Sequence, residues 1–483
     1  MKYLRAIIIA LFIALTLSGC DMKEDIAELV EESRQANEAR KRAEEAKEAE
    51  LLPVTYIREI DSVFALCYDT ADGLNPVKAR GVYNKLITSL THEGLFHLTD
   101  TCFPVCDLCE SYTYDGESYV FTLREDCFNR TGKRVTSSDV IYSLNLQLES
   151  IPSVGELTAE GIYAVKATLL YPDGSLPARL ICPIIPEDSG EQEYPDGTGD
   201  YRIAEGEKIY LACMEDYELD RIELTAVESL EDTIYSFGSK DTDLAVSLPA
   251  ATSAVHYRGL YDTKSCATRR LNCVIYNVRK LGVEERICLS QGVDKSVAEV
   301  YGEAAEYSDC VFPRYTYAYS IPPEIQKAEW KDKNVTILVS EENSMRIAAA
   351  ERIAENLENI GIAASVEKVK WETFENRIET GDYEMAVAAW QLPEDLSPGK
   401  LIEYTGYTDL ETELESFIAA PLHDKKSASL VLNKKITSEC IITPICHETV
   451  KYHTHPGDLT EVSFGNEDSL AHIGTWKRAE QIN

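Results

Sequence analysis

Between Val335 and Val366 the chain carries a strand–helix–strand pattern, and no other stretch limits its possible folds as much. Val335–Val339 is a short apolar run of the kind a buried strand presents. Ile347, Ala350, Ile353, Leu357 and Ile360 then recur at helical spacing. Gly361 follows as the residue that closes such a helix. Ile362, Ala364 and Val366 alternate as a strand, and Met385–Trp390 is a further apolar run. Two strands joined by a helix of this length imply a parallel pair with a right-handed crossover. The chain reads as mixed α/β.

A second block supports that reading. Tyr112, Tyr114, Tyr119 and Phe121 alternate around Asp115-Gly116, which predicts a hairpin with a primed turn. Thr136-Ser137-Ser138-Asp139 is a capping box, with Thr136 as the cap and Asp139 reaching back. Ile141, Leu144 and Leu148 follow at helical spacing. No period of 20–50 residues repeats.

The N-terminus has its own logic. Lys2 and Arg5 precede an apolar run from Ala6 to Leu17. Twelve helical residues span ~18 Å, against the ~30 Å of a bilayer core. The run is therefore a signal-peptide core (1–19) and not a membrane span. It ends in Leu17-Ser18-Gly19-Cys20, a pattern that resembles the bacterial lipobox. Cys20 is then the lipidation site and first mature residue, and two acyl chains hold a protein stably where one does not. The alternative is an ordinary signal peptide that happens to end in cysteine. Residues 20–53 form a charged helical tether, rich in Glu, Arg, Lys and Ala, with pairs such as Glu38–Arg42. Its alternative is a weak self-association helix. Pro53 ends it.

Charge narrows the partners. The chain holds 47 Lys+Arg against 83 Asp+Glu. Such a surface has no basic stripe to neutralise phosphates, which argues against nucleic acid. It also leaves the lipid, and not charge, to hold the body at an anionic bilayer. Of 14 cysteines, Cys20 is accounted for. The other 13 are thinly spread and odd in number, unlike a disulfide-stapled domain. They read as buried free thiols acting as small hydrophobes.

The hairpin and capping box lie within Tyr119-Val120-Phe121-Thr122-Leu123-Arg124, Phe128, Gly132 and Thr136–Val140. That block resembles the extracellular solute-binding proteins of family 5, the dipeptide, oligopeptide and nickel binding group. Four more segments agree in the family's order. They are Pro195–Tyr201 (with Asp200 where the family usually has proline), and Tyr276-Asn277 with Arg286–Lys295. The other two are Val335–Val369 running into Trp371, Gly381-Asp382 and Trp390, and Ile441–Ile445. The resemblance covers nearly the whole chain after about residue 55.

It implies a two-lobed class II periplasmic-binding-protein-like fold with mixed sheets and an extra small subdomain. Lobe I would span 54–278, with the small subdomain at about 97–164. Lobe II would span 279–448, and 449–483 would return to lobe I. The lobes close on a ligand because its contacts exist only in the closed state.

The resemblance also implies a ligand-binding set: Arg80, Val82, Ala389, Trp390, Gln391, Glu394 and Asp395. In peptide-binding relatives the strand ending at the equivalent of Trp390 pairs with the peptide backbone, and an Asp three residues later takes the α-ammonium. Here that position is Pro393, which has neither charge nor N–H. Glu394 and Asp395 follow and offer a displaced carboxylate, or else form a solvated acidic loop. Trp390 reads equally as core. Arg80 and Val82 fall where relatives line the cleft, and an arginine there suits a carboxylate. It reads also as an ordinary surface residue.

Other chemistry is weaker. Cys102-x3-Cys106-x2-Cys109 has the spacing of an iron–sulfur loop, but an exported chain is a poor host for one. Structural thiols, or an adventitious metal or disulfide site, fit better. His453 and His455, with His447, offer a metal-carrying alternative to plain core histidines. No nucleophile elbow, zinc helix or phosphate loop occurs, and no cofactor is implied. With the lipobox, the resemblance implies a non-enzymatic, lipid-anchored monomer, the extracytoplasmic receptor of an ABC importer. It would deliver a peptide or similar small solute to permease subunits. The alternatives are a sensory or scaffold lipoprotein, or a nickel or metal-chelate carrier.

Overall fold

Two long strands, Asp262–Tyr276 and Ile442–Thr454, run antiparallel through the computed structural model and organise everything around them. The described residues are 63–214, 217–250, 260–325, 334–467, 470 and 472–478. All of them belong to one compact unit, Ile60–Asn483. Cys20, the signal segment and the tether lie outside the described residues.

Each long strand passes from one hydrophobic core into others. Cys266, Val450 and Tyr452 pack with Phe64, Leu66 and Leu244 in the first core. Leu271, Cys273, Ile275 and Ile442 belong to a second core, and Val274, Tyr276, Ile445 and Cys446 to a third on the opposite face. Alternation along a strand sends neighbours to opposite faces, so one pair of strands serves both cores. Between Ala267 and Leu271 the register slips. Such an irregularity bends a strand and leaves residues unpaired.

The first body is a four-stranded sheet. Phe64–Asp69 pairs parallel with Arg221–Val227, and Tyr210–Cys213 and Tyr201–Ala204 follow antiparallel. Helix Val82–Thr91 buries Tyr83, Ile87 and Leu90 against it. Residues from the far end of the chain complete this core: Leu470, Ile473 and Trp476, whose ring meets Phe64 edge-on at 6.1 Å.

The second body carries the crossover expected from the sequence. Asn334–Ser340 lies parallel to both Ala363–Val369 and Met385–Gln391, and the last pairs antiparallel with Asp262–Tyr276. Helix Ser344–Asn359 buries Ala349, Ala350, Ile353 and Leu357. Ile360, expected on that face, is instead the exposed C-cap. Gly361 at φ +87° turns the chain back there, and the Ile362 N–H donates to Leu357 O at 2.9 Å.

A small antiparallel sheet stands beside the first body, in the order Cys109–Tyr114, Ser118–Leu123, Ala164–Leu169, Val154–Ala159. Its hairpin turns one residue later than Asp115-Gly116, because Gly116, at φ +95°, takes the first central position. The Asp115 carboxylate accepts the N–H groups of Glu117 and Ser118 at 2.9 and 2.7 Å. Tyr112, Tyr114, Tyr119 and Phe121 form one contiguous aromatic row. Helix Ser137–Asn145 covers the sheet with Val140 and Leu144. It stops before Leu148, which falls on a separate 3-10 turn and is exposed.

Asp139 holds the start of that helix. It accepts the Thr136 N–H at 2.9 Å and the Thr136 hydroxyl at 2.8 Å, and its other oxygen accepts the Glu187 N–H at 2.8 Å. Asp139→Ala removes all three, so a loss of about 1–2 kcal/mol in urea unfolding is expected. An unchanged midpoint would show that water replaces the carboxylate without cost.

Candidate functional site

Ligands of open α/β sheets sit beyond the carboxyl ends of the parallel strands. Here those ends are Ser340 and Gln391, and the helix after Ser340 starts there, with Asn343 as its cap. The Asn343 side chain accepts the Arg346 N–H at 3.0 Å and donates to Ala250 O at 2.9 Å, reaching the loop after strand Leu244–Ser247.

Strand register fixes what faces this helix end. Arg270 lies opposite Gln391, and Asn272 lies opposite Ala389. From the other long strand Glu448 joins them. Its carboxylate accepts from Asn272 Nδ2 at 2.9 Å, sits 3.4 Å from Arg270 Nε and 3.9 Å from an Arg346 terminal nitrogen. The buried Tyr301 hydroxyl donates to Asn272 Oδ1 at 3.3 Å. Glu448 and Arg346 are nearly buried, whereas Arg270 remains 43 % exposed. Burial lowers the Arg346 pKa from its ordinary value, although nearby Tyr301 and Glu448 oppose that shift. Arginine remains charged in proteins even so. Two guanidinium groups thus share one buried carboxylate beside a helix N-terminus, with the exposed Glu342 also acting on Arg346. Guanidinium forks beside a helix N-terminus suit an anion chemically, above all a carboxylate.

The expected site residues divide. Ala389 and Gln391 lie in this row. Trp390 points to the opposite face, packed on the second core and edge-on to Tyr404 at 5.5 Å, with its buried indole N–H unpartnered. Glu394 pairs with Arg269 at 3.1 Å. Asp395 is 2 % exposed and pairs with Arg179 at 2.9 Å, while its second oxygen accepts the Ser397 N–H at 3.0 Å. Arg80 is exposed, with its guanidinium turned towards the Val77 and Ala79 carbonyls. Val82 opens a helix and packs against the first core. Arg270, Asn272, Arg346 and Glu448 were not among the expected residues. One signal for the first was visible: Arg269-Arg270 stands directly before the mostly apolar stretch Leu271–Tyr276.

Arg269 occupies the register slip itself. Its Nε lies 3.0 Å from Glu467, one terminal nitrogen 3.1 Å from Glu394, and the other donates to Leu392 O at 2.9 Å. Glu467 also accepts from the Tyr315 hydroxyl at 2.8 Å and the Cys102 thiol at 3.0 Å.

The metal alternatives meet different surroundings. Cys102 is committed to Glu467, away from Cys106 and Cys109, so the three cysteines do not form one ligand set. His453 sits between the Ser247 and Thr263 hydroxyls, both at 2.9 Å, and His455 stacks on Phe237 at 4.3 Å. Among the described residues no three His, Cys, Asp or Glu side chains are placed to hold an ion.

Residues 301–409 match the family model described as "Bacterial extracellular solute-binding proteins, family 5 Middle". No curated protein matches the chain. Solved structures share its fold. The unliganded open form of the periplasmic murein tripeptide binding protein MppA has a TM-score of 0.72 at 15 % identity, covering 87 % of this chain and 98 % of that one. The ABC transporter substrate binding protein CtaP of Listeria monocytogenes has 0.68 at 16 %, covering 87 % and 100 %. NikA of Brucella suis, in complex with Fe(III)-EDTA, has 0.63 at 16 %, covering 86 % and 99 %. The fold is thus that of the two-lobed binding proteins, and the chain resembles family 5, as its sequence motifs imply.

Proposed function

We propose that this chain, whose middle carries the family 5 match, is the substrate-capturing subunit of an ABC importer and binds a carboxylate-bearing solute between its lobes. The observation that carries the reading is the Arg270–Glu448–Arg346 cluster. It offers two guanidinium groups on one buried carboxylate at the carboxyl ends of parallel strands, beside the two strands that cross between bodies. Ala389 and Gln391 extend the cleft wall along the same row. Trp390 stiffens the strand from behind, while Glu394 and Asp395 hold the following loop through Arg269 and Arg179. On the first body Arg80 remains exposed, whereas Val82 packs against that body's core. A ligand anchored on Arg346 and touched by both bodies favours the closed state only through contacts absent when open. Delivery to permease subunits follows from that closed shape. Cys20 supplies a lipid anchor on the extracytoplasmic face, and the receptor acts as a monomer without catalysis.

Short peptides and carboxylate chelates of nickel share the required anionic end, and the test separates them. Thermal unfolding of the purified chain is measured with di- to hexapeptides, their C-terminal amides, free amino acids and nickel, zinc or iron chelates. A ligand at 100 times its dissociation constant adds ~2.7 kcal/mol, seen as a raised Tm. The expected result is a shift with carboxylates of one class and none with the matching amides, abolished in Arg346→Ala and Arg270→Ala. A shift that survives both substitutions, or no shift with any class, overturns the reading. The second outcome favours a sensory or scaffold lipoprotein.

A further inference from the structure

Cys106 and Cys109 remain unused by the site above, and their setting is distinctive. They bracket the turn Asp107-Leu108 between strands Pro104–Cys106 and Cys109–Tyr114. Three backbone bonds clamp that turn: Asp107 and Cys109 N–H both donate to Leu95 O, at 3.0 and 3.2 Å, and Leu108 N–H donates to Gly94 O at 3.2 Å. Gly94 has no room for a side chain, because a Cβ there would stand 2.7 Å from the Ile181 backbone. Leu108 is fully buried beneath the turn. Both cysteines line one open cavity of about 630 Å³. Cys109 is buried at its floor, and Cys106 is half-exposed.

The rest of the lining is Asp107, Glu110, Arg124, Glu125 and Asp126. Arg124 is spent on Asp126, at 3.1 and 3.2 Å, and on the Asp107 carbonyl at 3.3 Å. Asp126 is thereby neutralised and Glu125 lies 3.7 Å from Arg134, so Asp107 and Glu110 leave the cavity with a net negative charge. They repel anions and draw in cations.

We propose that Cys106 and Cys109 form a reversible dithiol/disulfide modification site that exchanges with small cationic or neutral disulfides entering this acidic cavity. The half-exposed Cys106 attacks first, as a thiolate, on one sulfur of the disulfide RSSR and expels one RS⁻. Cys109 then attacks the Cys106 sulfur of the mixed disulfide and expels the second RS⁻. Two cysteine thiols are oxidised to one disulfide, RSSR is reduced to two RSH, and the two cysteine protons end on those products. The Cys109 thiol, which donates to Ser111 O at 3.2 Å, gives up that bond on closure. Burial holds the Cys109 thiol well above its ordinary pKa, with the neighbouring Cys106 adding to the shift. This fits Cys109 as the second nucleophile, activated only when brought onto the mixed disulfide.

The test uses the reduced full chain with cystamine, a cationic disulfide, and with oxidised glutathione, an anionic one. Peptide mapping should find an internal Cys106–Cys109 bond that dithiothreitol reverses. Cystamine should react at least about tenfold faster at low salt, with the gap narrowing at high salt. Cys109→Ser should trap a mixed disulfide on Cys106, and Cys106→Ser should leave Cys109 unreacted. A stable mixed disulfide on Cys106 of the unsubstituted chain overturns the proposal. So does a bond to Cys127 or Cys182, a Cys106 inert in both proteins, or equal rates for the two disulfides.

Discussion

Arg269→Ala should lower stability by about 3–5 kcal/mol in urea unfolding, one of the two largest effects expected of this chain. Glu467 is 7 % exposed and keeps only the Tyr315 hydroxyl and the Cys102 thiol when the guanidinium is gone. Neither supplies a countercharge. Leu392 O loses its donor, and Glu394 is freed to solvent at little cost because it is already one-third exposed. The penalty is therefore mainly that of a stranded buried carboxylate. Two companions isolate it. Arg269→Lys should recover little, since one ammonium cannot reach three acceptors in a planar fork. Arg269→Ala with Glu467→Gln should recover a sizeable part by removing the stranded charge. If the single substitution costs less than about 1 kcal/mol, Glu467 is hydrated and the network at the register slip is not a clamp.

The second large effect is acid unfolding. Burial lowers His92 to about 4 and His447 to about 3, and these two rings are almost wholly enclosed. Their folded values lie below the unfolded value of 6.5. Their stabilisation is thus complete above pH 6.5 and is lost as pH falls towards the folded values, because the unfolded chain takes up protons that the folded one refuses. Each contributes ~1.4 kcal/mol per pH unit in that window.

Glu93 acts in the opposite sense. Burial, then the adjacent Asp107, raises it from 4.5 to about 7, so its contribution is full below 4.5 and lost as pH rises through 7. Between about pH 6.5 and 4.5 it offsets one buried histidine, and the remaining histidines set the net slope. Below 4.5 both histidines act until His92 protonates. His453, lowered to about 4, and His455, also lowered, add in the same sense, so a net loss of stability from pH 6.5 to 4 is expected in chemical unfolding at stepped pH. The His447 ring has only a weak contact with the Cys310 backbone, so His447→Leu should flatten the acid limb and leave stability near pH 7 little changed. A limb that stays as steep would place the titration elsewhere.

The fold was legible because its signals are local. The apolar run before Ser340, the helical spacing after it and Gly361 each act within a few residues, and the structure places them as a strand, a helix and a cap. Ile360 was misplaced because periodicity continues through a cap that backbone geometry ends. The candidate site was only partly legible. Glu394 and Asp395 look like free carboxylates in sequence, yet their partners Arg269 and Arg179 lie 125 and 216 residues away. Arg346 looks like an ordinary charge in the first turn of a helix. Only strand pairing brings Glu448 to it, and register over such distances leaves no periodic trace.

The contact between Phe64 and Trp476 has a consequence in time. Roughly 400 residues separate the two rings, and at ~5–20 residues per second a ribosome needs about 20–80 s to cover that distance. Throughout that interval the first sheet exists without Leu470, Ile473 and Trp476, which seal its core. Nascent chain therefore cannot finish its first body before its last residues emerge. The part made first therefore stays without a finished core, and open to unfolding, until synthesis reaches Trp476.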